Sequence, residues 1–233
     1  MTPIKPSQPP TKENVKAAVE SLLGESRLKK LVNSYFDEEL KTDFAGHLFD
    51  TLSDNPPEEV VASDLVAVSL LDVNFGAKAT DSLLNKGLLN SHLRIENLPT
   101  DLDLWNTTTD QTDKLYAARD ALKDFDGVGP VKASKLLARK RPRLAPITDR
   151  HIQNFFGCKG WDFLSPLASC LSTSPELIDE INKLSPAGSS HSPTTLRLLD
   201  VAIWMAKSTS KSAELARDAA FGDKRPLDFI RSV

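Results

Sequence analysis

The sequence predicts a mainly α protein, a single multi-helix domain, and three observations carry that expectation. Apolar residues recur at intervals of three and four along several segments. Residues that start and stop helices bracket those segments. Alternating strand patterns are few, and there is no internal repeat. The 233 residues suffice for one large domain with a real core. Hydrophobic residues at 40% and charged residues at 26% give the balance of an ordinary globular protein.

Residues 1–12 hold four prolines and no periodicity, so a disordered tail is expected there, with an all-helical domain over 13–233. Val15, Ala18, Val19 and Leu22 then fall at helical spacing, and Gly24 follows as a stop. Leu28, Leu31, Val32, Tyr35 and Leu40 suggest a second helix, and Pro56 and Pro57 break the next stretch. The run Ser63–Leu71 is apolar nearly all round, a pattern shared by a buried strand and a buried helix. Helical neighbours favour the helix, with Ser63 as its cap. Residues 77–88 read as a short helix and 98–109 as a loop. Leu115, Ala118, Leu122 and Phe125 form one apolar stripe on a further helix. Ser165-Pro166, Ser174-Pro175 and Ser192-Pro193 mark three helix starts, because serine caps well and proline at the first position loses no hydrogen bond. The last opens an amphipathic helix with Leu196, Leu199, Ile203 and Ala206 on one side.

Several classes are excluded. No apolar run approaches the roughly 18–20 residues of a membrane helix, and the N-terminus lacks a signal-peptide core. An intracellular protein, cytoplasmic or nuclear, is expected, with no membrane partner. Cys158 and Cys170 are too few for a disulfide framework or a four-cysteine cluster, and read as small core residues. The four histidines, His47, His92, His151 and His191, lack metal spacing, so neither a metal nor a cofactor is expected. Trp105, Trp161 and Trp204 read as core residues. No oligomeric state is implied.

The net charge is −3, but its distribution is uneven. Lys132, Lys135, Arg139, Lys140, Arg141 and Arg143 lie in a stretch without a single acid. That leaves 23 of the 29 Lys and Arg to face 32 acids elsewhere. A cationic patch on an acidic body suits a polyanion; a solvated helix face is the plain alternative.

This run sits inside the most informative segment, about 115–141, where the chain reads Leu122-Lys123-Asp124-Phe125-Asp126-Gly127-Val128-Gly129-Pro130-Val131-Lys132-Ala133-Ser134-Lys135-Leu136-Leu137. Two glycines flank one apolar residue between a helix ending near Phe125 and another starting near Pro130. Gly127 and Gly129 can take backbone angles closed to other residues, and they bare the amides. Val128 plugs the turn into the core. The second helix then presents its N-terminal N–H groups, a site for a backbone phosphate. Lys132, Lys135 and Arg139, three and four residues apart, form a basic face beside it, while Ala133, Leu136 and Leu137 are buried.

The segment resembles the helix-hairpin-helix of DNA repair proteins, and the resemblance extends downstream. Asp149-Arg150-His151-Ile152 is similar to the Asp-x-His-(Val/Ile) string that follows the hairpin in helix-hairpin-helix DNA glycosylases, and the interval of 16 residues from Ala133 to Asp149 matches. The resemblance implies a fold like the helical core of base-excision glycosylases, DNA as a partner held through its phosphates, and Asp149 as the catalytic carboxylate. An ionised Asp149 would stabilise positive charge developing on the sugar and orient the attacking water, after the base is extruded from the duplex. The nucleophilic lysine of backbone-cutting members is replaced by Val131, which implies a monofunctional, water-using enzyme. Phe125-Asp126 stands where leucine-proline is usual, and Asp126 sets an acid beside the expected phosphate site. The stretch around Leu65–Leu71 and the Lys132–Arg143 run also resemble an uncharacterised domain family. Two rival readings stand beside the enzyme: a non-catalytic module that senses DNA structure, with Asp149 a simple N-cap, and a protein-interaction domain that keeps the turn.

Overall fold

A computed structural model describes residues 9–36, 44–86, 95–186 and 192–221. The α-helices among them are α1 (Lys12–Leu23), α2 (Leu28–Phe36), α3 (Ala62–Ser69), α4 (Ala77–Asp81), α5 (Thr109–Lys123), α6 (Pro130–Lys140), α7 (Arg150–Phe156), α8 (Leu164–Thr173), α9 (Pro175–Asn182), α10 (Thr195–Lys207) and α11 (Lys211–Phe221). Short 3-10 turns at Ala45–Leu48, Ile95–Asn97 and Leu104–Asn106 interrupt the connections. No strand occurs among the described residues, and one apolar core runs from Val15 to Ala220. The fold is therefore a mainly α single domain. No helix among the described residues is long and apolar enough to cross a membrane. Leu40, His92, His191 and residues 1–8, which include most of the expected tail, lie outside the described residues.

Helix α10 is the axis of the molecule. It was expected to be amphipathic, yet Leu196 to Ile203 are buried without a break, as is Met205. Such a helix is hydrophobic all round because neighbours surround it, and here α2, α7, α9 and α11 do so. Its two charged residues in that span, Arg197 and Asp200, are buried with it. Thr194 rather than Ser192 caps it, accepting the Arg197 N–H at 3.2 Å.

Other ends depart from expectation in similar ways. α8 opens one residue before Ser165, which puts Pro166 in the first turn where N–H groups have no helical partner to lose. Ser174 holds the cap position of α9 without a side-chain bond. The Ser63–Leu71 run is helical as far as Ser69, but Ser63 does not cap it. The helix starts at Ala62, and Asp64 turns back to accept the Val61 N–H at 2.8 Å. The stop at Gly24 is right-handed (φ −67°) rather than left-handed. Within 98–109 only a single 3-10 turn forms, and it buries Leu104. Cys158, Cys170 and Trp161 are core residues, while Trp105 and Trp204 are partly buried against the core.

The basic run is the largest departure. Every residue from Ala133 to Lys140 is buried, so α6 has no basic surface along that span. Arg139 donates to the carbonyls of Phe49 (2.6 Å) and Leu52 (2.5 Å). Lys140 reaches Asn55 Oδ1 and the Pro56 carbonyl, both at 2.9 Å. Arg141 takes the carbonyls of Leu98 (2.7 Å), Pro57 (2.6 Å) and Ile95 (2.6 Å). Asp64, fully buried, forms an ion pair with Lys140 and faces Arg139 Nε at 3.5 Å. Irregular backbone carries carbonyls that need donors once buried, and these three cations supply them. Of this run only Lys132, at its start, and Arg143, at its end, reach the surface, Arg143 in a two-bond pair with Asp103 at 2.8 and 2.6 Å.

Removing one partner of a buried ion pair leaves an uncompensated charge. Asp64→Ala should therefore destabilise the fold by about 3–5 kcal/mol in urea denaturation, and combining Asp64→Leu with Lys140→Met should recover part of that loss. A change within about 0.5 kcal/mol, the range of ordinary surface substitutions, for Asp64→Ala would contradict this role.

Candidate nucleic-acid interface

Helices α5 and α6 pack on each other through a turn at residues 124–129. α5 is set by Thr108, whose hydroxyl accepts the Gln111 N–H while the Gln111 side chain returns the bond to the Thr108 N–H. Its stripe Leu115, Ala118 and Leu122 is fully buried. Phe125 falls just beyond the helix, and the Val128 N–H closes the turn on its carbonyl at 3.0 Å. Val128 is 4% exposed, while Gly127, Gly129 and Pro130 are open to solvent. The turn thus stands at the surface with Val128 anchored inward and Phe125 partly buried against the core.

The two glycines differ in kind. Gly127 has φ +79°, and a Cβ there would sit 3.3 Å from the Ala79 Cβ. Gly129 has ordinary extended angles (φ −81°, ψ 176°), and a Cβ there would meet nothing within 4 Å. The fold therefore needs glycine at 127 and not at 129, against the expectation that both supply special angles. With Pro130 opening α6, the first backbone bond of the helix runs from Ala133 N–H to Gly129 O at 3.0 Å. The amides of Gly129, Val131 and Lys132 precede it and have no acceptor among the described residues. The positive end of an 11-residue helix is thereby left open.

Of the three cations placed beside this end by spacing, one is there. Lys132 is half-buried, donates to Gly127 O at 2.8 Å and lies 5.5 Å above the Phe75 ring. Lys135 and Arg139 are only 5% and 2% exposed. Lys135 gives its ammonium to Leu71 O at 2.7 Å, and Arg139 is spent on carbonyls as described above. Neither can reach a phosphate, so the basic face shrinks to Lys132. Lys78, which the sequence reading missed, stands 3.4 Å from Asp126 and offsets the acid beside the turn. Nothing in the sequence near the turn pointed to it, since α4 is brought there by tertiary packing.

Asp149 is half-buried at the N-cap of α7. Its Oδ1 accepts the N–H groups of His151 (2.8 Å) and Ile152 (3.1 Å). Its Oδ2 has no hydrogen-bond partner among the described residues. Ser134 ties the residue before this carboxylate to α6: its hydroxyl accepts the Thr148 N–H at 3.2 Å and shares its one proton between Val131 O (2.9 Å) and Thr148 O (3.1 Å). Both residues are buried. The second helix of the turn and the residue preceding Asp149 are thus one rigid piece. Val131 is half-buried. His151 lines a cavity of about 510 Å³ between α1, α2 and the end of α10, together with Asn154 and Phe155; Asp149 is not part of that lining.

A model of a protein family of unknown function, DUF6308, matches residues 28–207. The chain belongs to that family. The matched span of DUF6308 runs from α2 through α10 and so includes the turn, Asp149 and the buried pair Arg197–Asp200. No curated protein and no solved structure matches the chain.

The backbone requirement is directly measurable. Gly127→Ala should cost about 1–2 kcal/mol of stability, the cost of a left-handed angle, whereas Gly129→Ala should be neutral or stabilise by about 0.4–1 kcal/mol through the unfolded chain. Equal losses at both positions in chemical denaturation would refute the distinction.

Proposed function

We propose that this DUF6308 protein binds DNA through the 127–132 turn and hydrolyses the N-glycosidic bond of one base, using Asp149 and water. The observation that carries the reading is the rigid union of an open helix end with an unpartnered carboxylate oxygen, made by the Ser134–Thr148 bonds. The free amides of Gly129, Val131 and Lys132 suit a phosphate oxygen, and the open space at Gly129 lets a strand approach the backbone closely. Asp149 Oδ2 is the atom that would take the proton from water. As water adds to the sugar C1′, the C1′–N bond breaks, its electron pair leaves with the base, and the carboxylate offsets the positive charge on the ring. Without lysine at position 131, no amine there forms an imine with the sugar, so the strand remains uncut.

The second reading, a DNA-binding module without chemistry, is favoured by one observation. Asp149 already serves α7 as a two-bond N-cap, a role sufficient for its presence. In either case phosphate contact rests on backbone amides and Lys132 rather than on a basic patch, so the dependence of affinity on salt is shallow.

Duplexes carrying a panel of modified bases, treated with alkali after incubation, separate the two. Strand breaks are expected with the native protein, and Asp149→Asn, which preserves the cap, should slow them by on the order of 10²–10⁴ with binding retained. Binding without breaks on every duplex would leave the non-catalytic module; breaks undiminished in Asp149→Asn would remove that residue from the chemistry. The log–log salt slope of binding should fall by about 0.9 in Lys132→Ala and stay unchanged in Lys135→Met.

A further inference from the structure

The cavity of about 510 Å³ that His151 lines is enclosed by α1, α2, α7, the end of α10 and α11. Its size falls within the range of about 300–1,000 Å³ that small-molecule sites occupy. Neither Asp149 nor any residue of the 127–132 turn lines it, so it is separate from the candidate nucleic-acid interface. Part of the wall is apolar. Leu22, Leu28 and Leu31 are buried there, and the half-buried Phe155 ring adds an aromatic face.

The charged part of the wall is positive on balance. Arg27, Lys207 and Arg217 line it against Glu25 and Asp218, with His151 and Asn154 as further polar groups. Exposure sorts these charges by depth. Lys207 and Glu25 are exposed, Arg27 and Asp218 are half-buried, and Arg217 is only 6% exposed. The deepest charge is therefore a cation. Arg217 donates from Nη1 to Met205 O (2.5 Å) and from Nη2 to Ser208 O (2.6 Å), while its Nε has no hydrogen-bond partner among the described residues. Burial pulls Arg217 down, and Glu214 and Asp218 oppose that, though neither forms an ion pair with it. A buried guanidinium bonded only to neutral carbonyls is short of a counter-charge.

We infer that this cavity binds a small molecule that joins one carboxylate to an apolar body, the carboxylate on the arginine side and the apolar body against the three leucines and Phe155. Three cations against two acids leave one positive charge in the wall, which one carboxylate balances. Apolar burial supplies the affinity, and the charge fixes which way round the occupant lies. The site goes beyond the DNA reading and needs no part of it.

The test uses the full chain, isotope-labelled for amide NMR, and three probes with the same tail: octanoate, octan-1-ol and octylamine. Octanoate should shift the amides of Leu22, Leu28, Asn154 and Phe155 saturably, with a Kd of about 1 mM or tighter. Octanol should bind on the order of tenfold more weakly, the worth of a charge-assisted hydrogen bond, and octylamine more weakly still. Ala18→Phe fills the cavity from a half-buried position on α1 and should abolish the shifts. Arg217→Gln should reduce octanoate to the affinity of octanol; where that variant does not fold, the ranking of the three probes and Ala18→Phe decide alone. Equal affinity of the native protein for octanoate and octanol overturns the assignment, and so do shifts that survive Ala18→Phe. No saturation by about 10 mM octanoate overturns it as well.

Discussion

The architecture depends on three consecutive cations that end inside the protein. Arg139, Lys140 and Arg141 close α6 and give their donors to carbonyls at Phe49, Leu52, Pro56, Pro57, Ile95 and Leu98. Those carbonyls belong to chain between helices, which cannot satisfy itself and cannot be buried unsatisfied. Residues 49–57 and 95–98 are thereby fastened to the hairpin helix, and Asp64, paired with Lys140 and facing Arg139, offsets one of the three charges. Hydrophobic contact assembles the helices; this set of bonds fixes where the irregular chain between them lies.

The same burial clarifies the surface. Once Lys135 and the run Arg139–Arg141 are seen as scaffold, the turn's outward face reduces to three open amides and Lys132. On the proposed DNA-binding reading, such a face suits close backbone approach rather than long-range attraction, in keeping with a net charge of −3. The Asp149 carboxylate, held by the His151 and Ile152 amides, follows directly on the Thr148 backbone that Ser134 joins to α6. Geometry of this kind selects by shape and local charge, and leaves little for a generic electrostatic coat to do.

Helix periodicity made most of the fold legible: Val15, Val19 and Leu22, or Leu115, Ala118 and Leu122, are buried at the spacings that announced them. Caps were less legible, because Thr194 and Asp64 compete with nearby serines that look equally suitable, and only tertiary contact decides between them. The turn was legible from Gly127, Val128 and Pro130, but Gly129 was over-read, since a glycine type does not reveal whether its angle is unusual. The basic face failed for a stated reason. Spacing of three and four puts Lys132, Lys135 and Arg139 on one side of a helix, yet it cannot say whether that side meets water or carbonyls. One signal was available: Asp64 is the only charge in an otherwise apolar stretch from Leu65 to Leu71 and its first turn, and a buried acid demands a buried cation. Lys78 left no trace, as its partner Asp126 is distant in sequence, and although Arg197 and Asp200 are three residues apart, their burial against Asp50, Tyr35 and Gly46 is a matter of tertiary packing.

The central claim is that one rigid surface, the 127–132 turn together with the α7 cap, is the face that meets DNA. Amide shifts of isotope-labelled protein, followed by NMR as a short duplex is added at low salt, test it most directly. Shifts concentrated at Gly127, Gly129, Val131, Lys132 and His151 are what the account predicts. An unchanged spectrum, or shifts confined to helices remote from that turn, would contradict it.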